Sequence, residues 1–385
     1  MDRKKSVLFN LAATQPDYGS KRHGGGIYGE IVLRRIIESK RNVIVAYDAK
    51  RWINPEMQAL CRDNSVELAD ISECGFQAVV DSRGIDIFYS PQPVDDLYQL
   101  ENCEIVVTVH DLRSVELAVD RKMFWRYKMK LSMLLKNLLE ILWPSFIRRR
   151  RQRKNGNFIN KPDLRFAVVS NHSLGSVNLF FPDSVGKNIP VFYSPSTSLN
   201  MVSERKEACD YYLLVSANRW EKNCLRALMA LDQLFSEDRL TGKRVVVTGV
   251  SSADYFRYKF KNPGLFEFRG YVSDDELNQL YHDAYCFIYP SLNEGFGYPP
   301  LEAMRYGVPV LASPFSSISE VCGDSVLYFN PFSLDEIKIR IVQLEDKDLY
   351  ERQSEKSVRR YETVTSRQKE DLEKFVRFIY DEPAD

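Results

Sequence analysis

Glu294 and Glu302 are the two carboxylates around which chemistry could be built, with seven residues between them. Between them stand Gly295, Phe296, Gly297, Tyr298 and the pair Pro299-Pro300. Two glycines flanking an aromatic let backbone approach a ligand with no Cβ in the way. Proline is tolerated in the first turn of a helix, where its missing N–H has no partner to lose. The pattern therefore predicts a helix over Leu301 to Tyr306, a stop at Gly307 and a strand over Val308 to Ala312. Free amides at a helix start attract anions, so two glutamates beside them have the wrong sign for a bare phosphate site. The conflict resolves if the carboxylates bind hydroxyls while the amides near Phe296, Gly297 and Tyr298 bind phosphate. A sugar carried on a nucleotide diphosphate presents both kinds of group.

The matching cations lie seventy residues upstream. Tyr211 to Ser216 reads as a strand, and the loop after it carries Arg219 and Lys222 before a helix from Leu225. Arginine suits bidentate contact with phosphate oxygens and lysine acts as a point charge, so this loop can neutralise a diphosphate. Further candidates also sit at strand ends. Ile105 to Val109 runs into His110, and Val7 to Asn10 is followed by a polar loop, Gly24-Gly25-Gly26 and a helix from Ile27. Phe266 to Val272 leads to Ser273 and Glu276, spaced as a capping box, which gives those two a structural task. Short apolar strands alternating with helical stretches along the whole chain predict an α/β protein with mainly parallel sheets.

At 385 residues the chain is long enough for two domains, with a boundary expected near residue 200 after Ser194-Pro195-Ser196-Thr197-Ser198. The 53 basic and 53 acidic residues cancel, which gives no global pull toward nucleic acid. Seven scattered cysteines without a C-x-x-C pair argue for reduced thiols and against a zinc site. No signal peptide or membrane span is expected, which favours a cytoplasmic protein. One segment breaks the balance. From Arg121 to Asn155 twelve Lys and Arg face a single acid, Glu140, around a leucine stripe at 131, 134, 135, 138, 139 and 142. Trp125, Lys128, Trp143, Arg148, Arg149, Arg150 and Arg151 make it read as a membrane-surface or acceptor-side patch. Packing of the stripe inside the first domain is the competing expectation.

The stretch Pro290 to Ala312, with Glu294, Gly-Phe-Gly, the paired prolines, Glu302 and the Gly-Val-Pro-Val exit, resembles the retaining, nucleotide-sugar-dependent glycosyltransferases that include sucrose synthase and many bacterial polysaccharide transferases. Lys222-Asn223, His110-Asp111 and Tyr271-Val272 continue the resemblance, whereas Arg219 stands three residues before the lysine, a spacing unlike that of many relatives. The resemblance implies the GT-B fold, two Rossmann-like domains facing across a cleft. It divides the chain into an acceptor-side domain over 1–200 with the basic insertion 120–155, a nucleotide-sugar domain over 201–365, and a last helix over 366–385 crossing back. It implies donor contacts at Gly25, Gly26, Val272, Phe296, Gly297, Tyr298 and Glu302, and a reaction site formed by Glu294, His110, Lys222 and Arg219. A hexose would pass with retention from a UDP or GDP donor to a saccharide or lipid-linked saccharide, without metal or cofactor. A non-catalytic nucleotide-sugar-binding subunit, or an epimerase or phosphorylase on the same fold, would share these features.

Overall fold

The computed structural model describes residues 5–16, 24–94, 100–121, 126–128, 130–161, 164–196 and 210–383. The chain divides into two compact units, one of residues 1–112, 152–199 and 365–385, the other of 113–151 and 200–364. The first holds a six-stranded sheet of β1 (Val7–Asn10), β2 (Val43–Tyr47), β3 (Leu68–Asp70), β4 (Ile87–Ser90), β5 (Glu104–Val109) and β6 (Leu164–Val168), in the order β3-β2-β1-β4-β5-β6. The second holds β7 (Tyr211–Leu214), β8 (Arg244–Thr248), β9 (Phe266–Arg269), β10 (Cys286–Tyr289), β11 (Val310–Ala312) and β12 (Leu327–Tyr328), in the order β12-β11-β10-β7-β8-β9. Numbered from its own first strand, each sheet reads 3-2-1-4-5-6, and every pairing is parallel. That is the doubly wound order of a mononucleotide-binding fold. Strands such as Val-Ile-Val-Ala-Tyr and Tyr-Tyr-Leu-Leu carry near-continuous apolar runs because helices cover both faces of such a sheet.

Two expectations are corrected. Gly24, Gly25 and Gly26 do not form a loop before a helix; they are the first turn of the helix Gly24–Glu38. Glycine serves a helix start as readily as a turn, so the motif alone does not tell the two apart. The basic stretch 120–155 is also not an insertion packed wholly with the first domain, since 113–151 groups with the second unit. Tyr127 is the reason. Its ring is fully buried in the second unit's core, its hydroxyl accepts from the Leu225 amide at 3.2 Å, and it bridges to Phe256 as an isolated antiparallel pair. The last helix, Lys347–Ile379, is shared: its residues group with the second unit up to Val364 and with the first from Thr365.

Candidate functional site

In a doubly wound sheet the order reverses between the first and fourth strands, and ligands bind beyond the carboxyl ends of that pair. In the second unit this switch point lies between β7 and β10. Past β7 the chain runs through a short turn, Trp220–Lys222, and turns at Asn223 with φ 56° into the helix Cys224–Ser236. Past β10, Pro290 to Glu294 forms the facing loop. The two are stitched together: the Leu292 amide donates to the Glu221 carbonyl at 2.8 Å, and Asn223 Nδ2 to the Pro290 carbonyl at 3.1 Å.

Lys222 and Glu294 meet at this point. Lys222 Nζ lies 2.6 Å from Glu294 Oε1 and 2.9 Å from the Tyr289 hydroxyl, with both charged groups buried. The Ser291 hydroxyl donates to the same carboxylate. The loop is held from below by Ser316 Oγ, which accepts the Glu294 amide at 2.7 Å, and by Ser317 Oγ, which donates to the carbonyls of Glu294 and Phe296 at 2.9 Å. Burial pushes the Glu294 carboxyl up, but the charges of Lys222 and Arg113 and the hydrogen bonds from Lys222 and Ser291 more than offset it, so it sits below the ordinary 4.5. Tyr289 moves the other way, held well above 10 first by burial and then by Glu294. It remains a neutral phenol.

Arg219 is not drawn into this pair. It is half exposed, and its guanidinium grips Glu221 Oε1 at 2.8 Å from Nε and 2.7 Å from Nη2. The second cation at the site is Arg113, whose Nη2 lies 3.9 Å from Glu294 Oε2 and whose Nη1 lies 3.4 Å from Glu221 Oε1. Sequence reasoning missed it because Arg113 is more than a hundred residues from either partner, in an ordinary helical turn, Arg113–Glu116. A second tie fixes that turn: Asn293 Nδ2 donates to Glu116 Oε2 at 2.5 Å. Tyr289 and Ser291 were missed for a different reason, as they read only as the end of an apolar strand and the start of its loop.

Phe296 is buried, its ring 5.4 Å from that of Tyr298, and Gly297 adopts φ 104°, a conformation that strains any other residue. Glu302 is partly exposed on the helix Tyr298–Met304; burial raises its carboxyl above 4.5 against the opposing charge of Arg305. No hydrogen bond links it to Glu294 or Lys222 among the described residues. Val272 is half-buried between β9 and the helix Asp274–Asp283, whose Ser273–Glu276 capping box is formed as expected. In the first unit, Gly25 and Gly26 lie in the opening helical turn, and His110 follows β5. The His110 Nε2 sits 2.8 Å from the Pro91 carbonyl, which can only accept, so this nitrogen carries a proton. The His110 carbonyl accepts from Ser173, and its ring packs edge-on against Tyr28. Of the basic patch, Trp125 lies outside the described residues; Lys128, Trp143, Arg148, Arg149 and Arg150 are exposed, and Arg151 is partly so.

A cation and a carboxylate at a doubly wound switch point suit a ligand carrying both phosphate and hydroxyls. Residues 200–360 match the family model described as glycosyl transferases group 1. The chain is 33% identical over 155 residues to the O-antigen chain mannosyltransferase B of Escherichia coli, covering 39% of this chain and 41% of that protein. It is 29% identical over 191 residues to the O-antigen chain mannosyltransferase RfbU of Salmonella typhimurium, covering 46% and 52%. The chain thus matches about half, or less, of the length of these curated relatives. Among solved structures, sucrose-phosphate synthase from Thermosynechococcus elongatus superposes with a TM-score of 0.71 at 12% identity, over 98% of this chain and 99% of that one. The Anabaena HepE protein in complex with UDP-glucose gives 0.62 at 15% identity, over 98% of each. At such identities the likeness establishes the fold, which is GT-B.

Proposed function

We propose that this protein is a retaining hexosyltransferase that moves a sugar, by kinship with the O-antigen enzymes a mannosyl residue, from a nucleotide diphosphate to a saccharide or lipid-linked saccharide. The observation that carries this reading is the buried Lys222–Glu294 pair at the β7/β10 switch point of the group 1 domain. Each group is the other's partner until a donor offers hydroxyls to the carboxylate and phosphate oxygens to the ammonium. Charge builds on the departing diphosphate, and preorganised cations there lower the barrier most. Lys222 supplies one cation and Arg113, 3.9 Å from Glu294, a second. Arg219, tied to Glu221, borders the site. Glu302 takes ribose hydroxyls, and Glu294 orients the sugar near its anomeric carbon. A front-face displacement needs Glu294 alone, without the second carboxylate that a double-displacement glycosidase uses. The acceptor oxygen therefore attacks from the face that the diphosphate leaves, and its proton goes to that leaving group. The sugar keeps its anomeric configuration and no metal takes part.

The test uses the purified full chain with UDP- and GDP-linked hexoses and a saccharide acceptor, in EDTA, with the product's anomeric configuration read by NMR. Acceptor-dependent release of nucleoside diphosphate with retention is the expected result. Donor binding without turnover would instead assign the chain as a binding subunit, and nucleotide release without acceptor would point to an epimerase or phosphorylase. A thermal-shift screen chooses the donor first, since ligand at 100 times its Kd stabilises by about 2.7 kcal/mol.

A further inference from the structure

The leucine stripe does not pack inward. In the helix Leu131–Leu142 the side turned toward protein is formed by Asn137, which is buried, with Leu134, Glu140 and Ile141 partly covered. Glu140 closes a two-pronged ion pair with Arg151 of the next helix, Pro144–Ile159, at 2.6 and 2.7 Å. Leu131, Leu135, Leu138, Leu139 and Leu142 face out instead, on a stripe about 100° wide, and Met133, Trp143 and Phe146 extend the apolar surface. These eight side chains are 42% to 72% exposed. An amphipathic helix that keeps its polar residues inside and its leucines in water has its apolar face assigned to something else.

The surrounding charge says what that is. Lys128, Lys130, Lys136, Arg149, Arg150 and Arg153 are exposed and form no ion pair among the described residues. Arg151 is held by Glu140, and Arg148, though exposed, donates to the Val115 carbonyl at 3.0 Å, so these two also brace the helix pair. A second copy on the same patch would set these cations against themselves, which disfavours a symmetric dimer. An anionic bilayer accepts both features: an apolar stripe sinks into the boundary between headgroups and acyl chains, and the cations meet lipid phosphates. The helix has twelve residues, and no helix among the described residues is long and apolar enough to cross a membrane. It can lie in the interface only. We propose that the helix pair 131–159 is an interfacial anchor that docks this protein on anionic lipid, with the leucine face and Trp143 inserted.

Binding to vesicles needs no turnover, so this proposal stands or falls apart from the transferase reading. The full chain is to be sedimented with vesicles of phosphatidylcholine alone and with vesicles of equal parts phosphatidylcholine and phosphatidylglycerol. Binding to the anionic vesicles is expected, together with a blue shift in tryptophan emission that Trp143→Phe removes. The double variant Leu135→Glu, Leu142→Glu should lose binding with an unchanged melting temperature, as both side chains are exposed. Arg149→Ala with Arg150→Ala should weaken it roughly thirtyfold, about fivefold for each charge. Equal sedimentation of the leucine variant and the parent overturns the proposal. So does failure of the parent to bind, or a concentration-dependent dimer in lipid-free buffer that the leucine variant abolishes.

Discussion

Lys222 keeps 5% of its surface exposed and Glu294 7%, so each is costly to leave alone. Removing one member of a buried pair leaves an uncompensated charge and costs about 3–5 kcal/mol. Loss of activity in Glu294→Ala alone would therefore not separate chemistry from folding. Glu294→Ala should melt roughly 10 °C lower, and Glu294→Gln, which still accepts a hydrogen bond from Lys222 but no longer compensates its charge, should fall between that variant and the parent while losing transfer. Lys222→Met combined with Glu294→Gln should recover stability and stay inactive; a double variant as unstable as Glu294→Ala would show that the pair does not govern the fold here. Arg113→Ala should raise the donor KM about tenfold, an effect of roughly 1.4 kcal/mol, and Arg113→Lys should restore part of it. If only the melting temperature moves, Arg113 is a structural counterion. The two glutamates should also titrate apart. Glu294 is held below 4.5 and stays ionised as the pH falls, while Glu302 lies above 4.5 and takes up its proton first. A raised carboxyl favours the folded protein when protonated and loses that contribution as the pH rises through its folded value. Donor hydroxyls need the ionised form, so donor affinity should fall on acidification before the Lys222–Glu294 pair breaks. Glu302→Gln should remove that pH dependence in a calorimetric titration.

At the scale of elements, the loops that carry these residues were readable where local chemistry fixes them. Pro299 and Pro300 lie in the first turn of the helix Tyr298–Met304, Gly307 with φ 66° closes the turn that follows it, and Ser273 and Glu276 cap the start of their helix reciprocally. What could not be read is chain path over long separations. A leucine stripe of helical period looks the same whether it faces a core or a solvent boundary, and only the burial of Asn137 beside it shows which. Arg113, likewise, reaches Glu294 through folding and not through any motif. The segment before the stripe shows the same limit. Tyr127 sits among like-charged neighbours in sequence, yet fills the core between Phe256 and Tyr255, with ring centroids 5.3 and 5.9 Å away. Tyr127→Ala should destabilise the second unit by about 3–5 kcal/mol, and Tyr127→Phe by about 1 kcal/mol through the lost acceptor for Leu225. Hydrogen exchange in the helix Cys224–Ser236 is the readout. Unchanged protection there in Tyr127→Ala would remove this strap from the unit's core.

At the scale of the whole molecule, neither unit is a continuous piece of chain, and the first includes residues 365–385 from the end of the sequence. Residues 365–385 group with 1–112 and 152–199. Phe375 packs its ring 5.7 Å from Tyr89 and 5.4 Å from Phe192, and Val376 and Ile379 are buried beside it. Asp371 accepts the Tyr193 amide at 2.8 Å, Gln368 donates to the Ser194 carbonyl at 2.5 Å, and Tyr380 donates to the Asn42 carbonyl at 2.9 Å. Burying one such apolar side chain contributes about 1.5–3 kcal/mol. Three of them alone rival the roughly 5–15 kcal/mol that holds an ordinary domain together. The surface ion pairs Lys5–Asp381 and Arg35–Glu373 add little to this, because exposed pairs contribute at most about 1 kcal/mol each. A chain ending at Val364 should therefore lose amide protection across β1, β4 and β5 while β7, β8 and β10 keep theirs. Adding residues 365–385 back as a separate peptide should restore part of that protection. Phe375→Ala in the full chain should reproduce the loss in milder form. If the truncated chain protected β1 and β4 as well as the parent does, the first unit would be complete without its C-terminal helix, and the shared helix would serve some purpose other than closing that core.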